Sequence, residues 1–142
     1  MSKAHILITG GNGFVGSALA NLLSSYPEFS VCISTRQKCD AGDISNVVTG
    51  DLVQASDCKS FLKDIDVIIH TAGRAHVLND TVKEPIQEFR AVNTFATLNL
   101  AKQAAESGVR RFIFLSSIGV NGAESNDKPY KADSKVAPHS PY

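Results

Sequence analysis

Net charge is the first thing this sequence lacks. Fourteen Lys and Arg balance fourteen Asp and Glu over 142 residues. No long-range field therefore draws the chain to nucleic acid or to an anionic membrane surface. Long hydrophobic runs are missing too, and none approaches the ~20 apolar residues of a membrane-spanning helix. The opening MSKAHILITGG has neither the apolar core nor the small-residue cleavage site of a secretory signal. Cysteine is scarce: Cys32, Cys39 and Cys58 are odd in number and form no C-x-x-C pair. That argues against a disulfide framework or a zinc site and for reduced thiols in a cytoplasmic protein. His5, His70, His76 and His139 are scattered, so no metal site is expected. What is there is ordinary, 43% hydrophobic and 20% charged. It suffices for one domain, residues 1–142, with a sizeable core.

The apolar residues recur in short runs. AHILIT at 4–9 reads as a strand ending in glycines, and 14–25 as a helix with Val15, Leu19, Leu22 and Leu23 on one face. SVCIST at 30–35, 47–49, 67–70 and FIFL at 112–115 are further strands, with a short helix at 56–63. A long helix is expected from about Lys83 to Ser107, with Phe89, Val92, Ala96, Leu100 and Ala104 on one face and Gly108 as its stop. After Ser117 the composition turns to Gly, Asn, Asp, Lys, Ser and Pro, a loop of about 25 residues, a length uncommon outside functional sites. Short apolar strands alternating with helices predict an α/β fold, a Rossmann-type doubly wound parallel sheet.

LITGGNGFVG lies between the first strand and the first helix. Gly11, Gly13 and Gly16 read as G-x-G-x-x-G; Gly10, Gly13 and Gly16 read as G-x-x-G-x-x-G. Either way, one glycine permits the tight turn, one lets the backbone approach a pyrophosphate, and one lets helix and strand pack closely. The helix N-terminus at Phe14 and Val15 supplies free N–H groups for that anion. A ligand-free glycine turn is the alternative; its place at the start of a β-α-β unit favours dinucleotide binding. The second strand ends in Thr35 and Arg36, where an NAD site would carry an acid for the ribose 2′-hydroxyl. An arginine can instead pair with a 2′-phosphate, which favours NADP over NAD. The alternative is a solvated loop charge. Asp40 and Asp43 come too late to replace the acid.

GDL at 50–52, HTAG at 70–73, VNT at 92–94, FIFLSS at 112–117 and Tyr142, 25 residues beyond Ser117, follow in order. With the glycine turn they resemble the extended short-chain dehydrogenase/reductase family, in its nucleotide-sugar epimerase and 4-ketoreductase branch, like the UDP-glucose 4-epimerases. The resemblance spans the chain. It implies that Asp51 and Leu52 hold the adenine end of the cofactor. Thr71, Ala72, Gly73 and Arg74 would lie along its pyrophosphate and ribose, with Asn93 as a further cofactor residue. A solvent-facing Asn93 is the alternative. Ser117 and Tyr142 would be catalytic, Ser117 positioning the substrate oxygen and Tyr142 moving its proton, with Ser116 a second substrate contact.

The family pattern Y-x-x-x-K puts a lysine four residues after its tyrosine, beyond Tyr142. Tyr130 is no substitute, because Ser134 stands at its plus-four position. The resemblance therefore implies an N-terminal portion of a longer enzyme, without its substrate domain and inactive as it stands. The implied reaction is UDP-hexose 4-epimerisation by hydride exchange at a sugar carbinol, with NADPH-dependent 4-keto-sugar reduction as the alternative. Dehydration is disfavoured because Ile118 and Gly119 follow Ser117 where the family's dehydratases carry Asp-Glu. A cofactor-binding chain without turnover is the reading of another class. The implied partners are a UDP-linked sugar and a second copy, paired through the long helix; an absent second pairing helix would leave apolar surface near Ala96 and Leu100 exposed.

Overall fold

The computed structural model describes residues 2–55, 57–75, 84–125 and 127–142. Five parallel strands form one sheet: β1 (Ala4–Thr9), β2 (Phe29–Thr35), β3 (Ser45–Val48), β4 (Val67–His70) and β5 (Arg111–Phe114), in the order β3-β2-β1-β4-β5. Helix α1 (Phe14–Ser24) joins β1 to β2, and α2 (Lys59–Leu62) precedes β4. A long helical stretch joins β4 to β5: α3 (Pro85–Phe89), a π-helical segment Arg90–Ala96, and α4 (Thr97–Glu106). This is the expected Rossmann-type doubly wound sheet.

Side chains of successive strand residues point to opposite faces, and β1 shows the consequence. Ile6 and Ile8 pack with Ala20 of α1 and Ile33. Leu7, between them, packs on the other face with Leu62, Ile68, Leu100 and Ala104. Two apolar layers thus sandwich β1, the central strand, and burying each such Leu or Ile contributes roughly 1.5–3 kcal/mol. The strand order reverses at β1: β2 and β3 lie to one side, β4 and β5 to the other. A crevice opens there beyond the carboxyl ends of β1 and β4.

Several boundaries differ from expectation. Strand β2 starts one residue early, β3 begins at Ser45, and β5 runs Arg111–Phe114 rather than 112–115. Ser56 and Lys83, the expected first residues of two helices, and His76 lie outside the described residues. Helix α1 buries Gly16 and Ala20, whereas Val15 and Leu22 are exposed. Gly16 must be small because a Cβ there would meet the Gly10 carbonyl oxygen, whereas Leu19 and Leu23 pack on the sheet as expected. Gly108, at φ +83°, ends α4 as expected. The exposed apolar surface expected near Ala96 and Leu100 is present, but on their neighbours and not on these two residues. They are 6% and 1% exposed, and Leu100 packs with Leu7 and Ile68. The exposed apolar residues of this stretch are Phe95 and Leu98, at 64% and 62%. The face at three- and four-residue steps already packs on the sheet, so its flanks are what remain outside.

Candidate dinucleotide and catalytic site

The turn after β1 is built by contacts that leave no room for side chains. Gly10 has φ +68°, and a Cβ there would lie 2.8 Å from the Ala72 backbone. A Cβ on Gly16 would collide with the Gly10 carbonyl oxygen and lie 2.9 Å from Thr71 Oγ1. The chain closes on itself where Gly13 N–H donates to the Gly10 carbonyl (2.9 Å) and Ser17 N–H to Gly13 (2.9 Å). Gly10, Gly13 and Gly16 thus meet one another across the turn, and Gly11 is packed as tightly from outside, where a Cβ would collide with the Ile33 side chain. Gly13 caps α1 with no side chain of its own, so the first-turn N–H groups of Phe14, Val15 and Gly16 lack intrahelical acceptors. Phe14 projects its ring into solvent, 95% exposed. A bare backbone cradle at a helix N-terminus fits a pyrophosphate.

Two cavities flank the turn after β4. One, of about 420 Å³, has Gly10, Gly13, Thr35, Arg36, Asp51, Leu52 and Arg74 on its walls. The other, of about 530 Å³, is lined by Asn93, Ser116, Ser117 and Tyr142. Thr71, Ala72 and Gly73 line both. The structure thereby brings together the residues singled out in the sequence. The exceptions are Gly11, packed against Ile33, and Phe14, Val15 and Gly16 on the first turn of α1, all outside both linings.

Thr35 is buried and its hydroxyl donates to the Gln37 carbonyl (2.7 Å). Its side chain is tied into the fold, not offered to a ligand. Arg36 is exposed and, among the described residues, in no ion pair. Asp51 Oδ1 accepts from Val53 N–H (2.9 Å), which closes the turn that faces Arg36 across the cavity mouth. Asn93 spends both ends of its amide on one backbone unit. Its Oδ1 accepts from Arg74 N–H (2.7 Å), and its Nδ2 donates to the Arg74 carbonyl (2.9 Å). It sits in the π-helical segment, whose wider turn is a feature frequent at functional sites.

Ser117 caps the 3-10 turn Ile118–Val120, its Oγ accepting from Gly119 N–H (3.1 Å). The loop beyond is organised. Asn121 Nδ2 donates to the Ser134 carbonyl (3.1 Å), Ala137 N–H to Val120 (2.9 Å), and Tyr130 O–H to Glu124 (2.6 Å). This folded loop brings Tyr142 back against Phe89, ring centroids 6.1 Å apart, and the Arg74 guanidinium lies 5.3 Å from the same Phe89 ring. Pro138, His139 and Ser140 reach the larger cavity too, and no local pattern in the sequence marks them.

His70 lies under the shared wall. It is 1% exposed, stacked on Phe114 and tilted against Phe112, and burial pushes its pKa down to about 4. Its Nδ1 is 2.6 Å from Thr9 Oγ1 and its Nε2 2.9 Å from Thr97 Oγ1. Among the described residues no group of three or more His, Cys, Asp or Glu converges, and no helix is long and apolar enough to cross a membrane.

The chain is 41% identical over 138 residues to a UDP-glucose 4-epimerase of Vibrio cholerae, an alignment covering 96% of this chain and 42% of the relative. Among solved structures it superposes on a UDP-N-acetylglucosamine 4-epimerase from Methanobrevibacter ruminantium, in complex with UDP-N-acetylmuramic acid. There the TM-score is 0.80 and the identity 28%, over 100% of this chain and 46% of that one. It superposes equally well on MoeE5 in complex with UDP-glucuronic acid and NAD, with a TM-score of 0.82 and 28% identity over 98% and 44%. The chain spans less than half the length of these relatives. Residues 6–142 match the family model described as the NAD dependent epimerase/dehydratase family, and a match over so much of the chain makes it a member of that family, among the extended short-chain dehydrogenase/reductases.

Proposed function

We propose that residues 1–142 form the dinucleotide-binding domain of a cytoplasmic nucleotide-sugar 4-epimerase acting on a UDP-linked hexose. One observation carries this reading: the glycine cradle at the switch point opens, across the Thr71–Gly73 wall, on a cavity lined by Ser117 and Tyr142. The cradle fits the pyrophosphate because a Cβ at Gly10 or Gly16 would fill it, and Asp51 and Leu52 stand at the far end for the adenine. A nicotinamide held there would supply hydride exchange at the sugar carbinol. The chain's own residues do the rest. Ser117 Oγ holds the carbinol oxygen, with Ser116 as a second hydroxyl beside it. The Tyr142 oxygen takes the hydroxyl proton and gives it back. A free phenol, with a pKa of about 10, is a weak base at neutral pH, so a cation beside Tyr142 is needed for turnover. Among the described residues, the lining of this cavity contains no lysine or arginine.

The Vibrio cholerae relative and the UDP-sugar complexes support the substrate class. The exposed Phe95 and Leu98 support pairing of two copies through the long helix. Arg36 favours a second reading, a 4-keto-sugar reductase using NADPH, because no acid replaces it at the end of β2. The test is to assay a form of the protein that extends past Tyr142 on UDP-glucose and UDP-galactose, and on a UDP-4-keto-hexose with NADPH, with Ser117→Ala and Ser116→Ala beside it. Ser117→Ala should lower kcat by roughly a hundredfold or more while NAD affinity stays unchanged, and Ser116→Ala should do less. Greater damage from Ser116→Ala would move the assignment by one residue. Turnover confined to the keto-sugar would replace the epimerase with the reductase.

A further inference from the structure

Thr71, Ala72 and Gly73 form the wall common to both cavities, and the buried His70 just before them lines the smaller one. His70 pairs in register with Thr9 across β4 and β1. Thr9 is the last residue of β1, so its neighbour in the chain is Gly10. Thr9 holds the turn twice: its carbonyl accepts from Thr71 Oγ1 (2.7 Å), and its Oγ1 accepts from Ala72 N–H (3.3 Å). Ala72 in turn is the residue that Gly10 packs against.

The His70 ring is held at both nitrogens. Nδ1 lies 2.6 Å from Thr9 Oγ1, which also accepts from Ala72 N–H, and Nε2 lies 2.9 Å from Thr97 Oγ1. A hydroxyl can donate once and accept twice, so either neutral tautomer keeps both bonds, and burial keeps the ring neutral. Thr97 begins α4, four residues after Asn93, which grips Arg74 at the other end of the same turn. The long helix thus holds the turn at both ends, by Asn93 through Arg74 and by Thr97 through His70.

We propose that His70 is a positioning residue: with Thr97 orienting its ring, it orients Thr9 and so holds the Thr71–Gly73 turn against the glycine cradle. The consequence for cofactor affinity rests on the dinucleotide reading above; the tie itself does not. Thr97 lines neither cavity, so its hydroxyl does not meet the ligand directly.

The experiment compares four forms of the full chain: unmodified, Thr97→Val, Thr97→Ser and Leu62→Val. Leu62 is fully buried in the core on α2 and lines neither cavity, so Leu62→Val is a control for lost stability. Amide hydrogen exchange at Ala72 is read by NMR, and NAD affinity by calorimetric titration. Losing one buried hydrogen bond should speed Ala72 exchange roughly five-fold in Thr97→Val and weaken NAD by a similar factor. Thr97→Ser, which keeps the hydroxyl, should restore both. Leu62→Val should lower the melting temperature without selective change at Ala72 or in affinity. Thr97→Val behaving like Thr97→Ser in both readouts, or Leu62→Val matching Thr97→Val, overturns the role of His70. If the unmodified chain binds no NAD while Ala72 exchange still follows the Thr97 hydroxyl, the tie stands and the dinucleotide reading falls.

Discussion

Arg36 and His70 show how much one side chain's surroundings decide. Arg36 stands exposed at the mouth of the smaller cavity, and the buried Thr35 beside it presents no carboxylate to repel a 2′-phosphate. A charge-assisted hydrogen bond is worth about 1.5–3 kcal/mol. Arg36→Ala should therefore weaken NADP roughly ten-fold or more and leave NAD nearly unchanged. Equal losses in a titration with both cofactors would remove the NADP preference. His70 makes a pH prediction. Its folded pKa is lowered from 6.5 to about 4, so the unfolded chain takes up the proton first as pH falls. The stability linked to His70 is fully present above pH 6.5 and is lost as pH falls towards 4. The loss is on the order of 3 kcal/mol at most. Urea unfolding at pH 7 and pH 5 should show this drop in the unmodified chain and a smaller one in His70→Phe. The sequence displays His70 plainly, but only as one of four scattered histidines; nothing local says that two threonine hydroxyls meet its ring.

At the scale of elements, the place of the glycine turn was legible because its requirement is local, although the sequence left open whether Gly10 or Gly11 leads the set. A backbone that must turn with positive φ at Gly10 and admit a helix against it at Gly16 has few residue choices. Gly16→Ala should push α1 from the turn, since the added methyl meets the Gly10 carbonyl rather than a movable side chain. A destabilisation of about 1–3 kcal/mol is expected, with a larger proportional loss of NAD binding, checked by chemical denaturation and calorimetry. An unshifted denaturation midpoint would mean that α1 relaxes freely. The long helix was less legible. Its length was readable from the three- and four-residue spacing, but the π-helical segment was not. Asn93 was the one local sign, an amide in mid-helix with reason to seek a partner outside it, and its partner, Arg74, is 19 residues away. The strand ends moved by a residue or two for a similar reason: a strand's ladder of hydrogen bonds stops where the neighbouring strand stops, as β3 does opposite Cys32 to Thr35.

For the whole molecule, the sheet ends at β5, where Ile113, Phe114 and Leu115 are exposed, and the long helix carries Phe95 and Leu98 outward. Apolar surface of this kind marks an interaction face. Sedimentation of the chain should show association that Phe95→Glu with Leu98→Lys abolishes; an unmodified chain that stays monomeric would exclude the helix face as a pairing surface. By itself the sequence determined the parallel α/β class, the place of the glycine turn and part of the lining of both cavities, though not Pro138, His139 or Ser140. Each of these follows from short apolar runs, from glycine sterics, or from motifs that keep their spacing. Only the tertiary structure decided which helix face is buried, so that Ala96 and Leu100 are inside while Phe95 and Leu98 are outside. It alone joined Thr9 to His70 across 61 residues and His70 to Thr97 across 27. Such contacts depend on how strands and helices are laid side by side, and residue spacing along the chain carries no record of that distance in space.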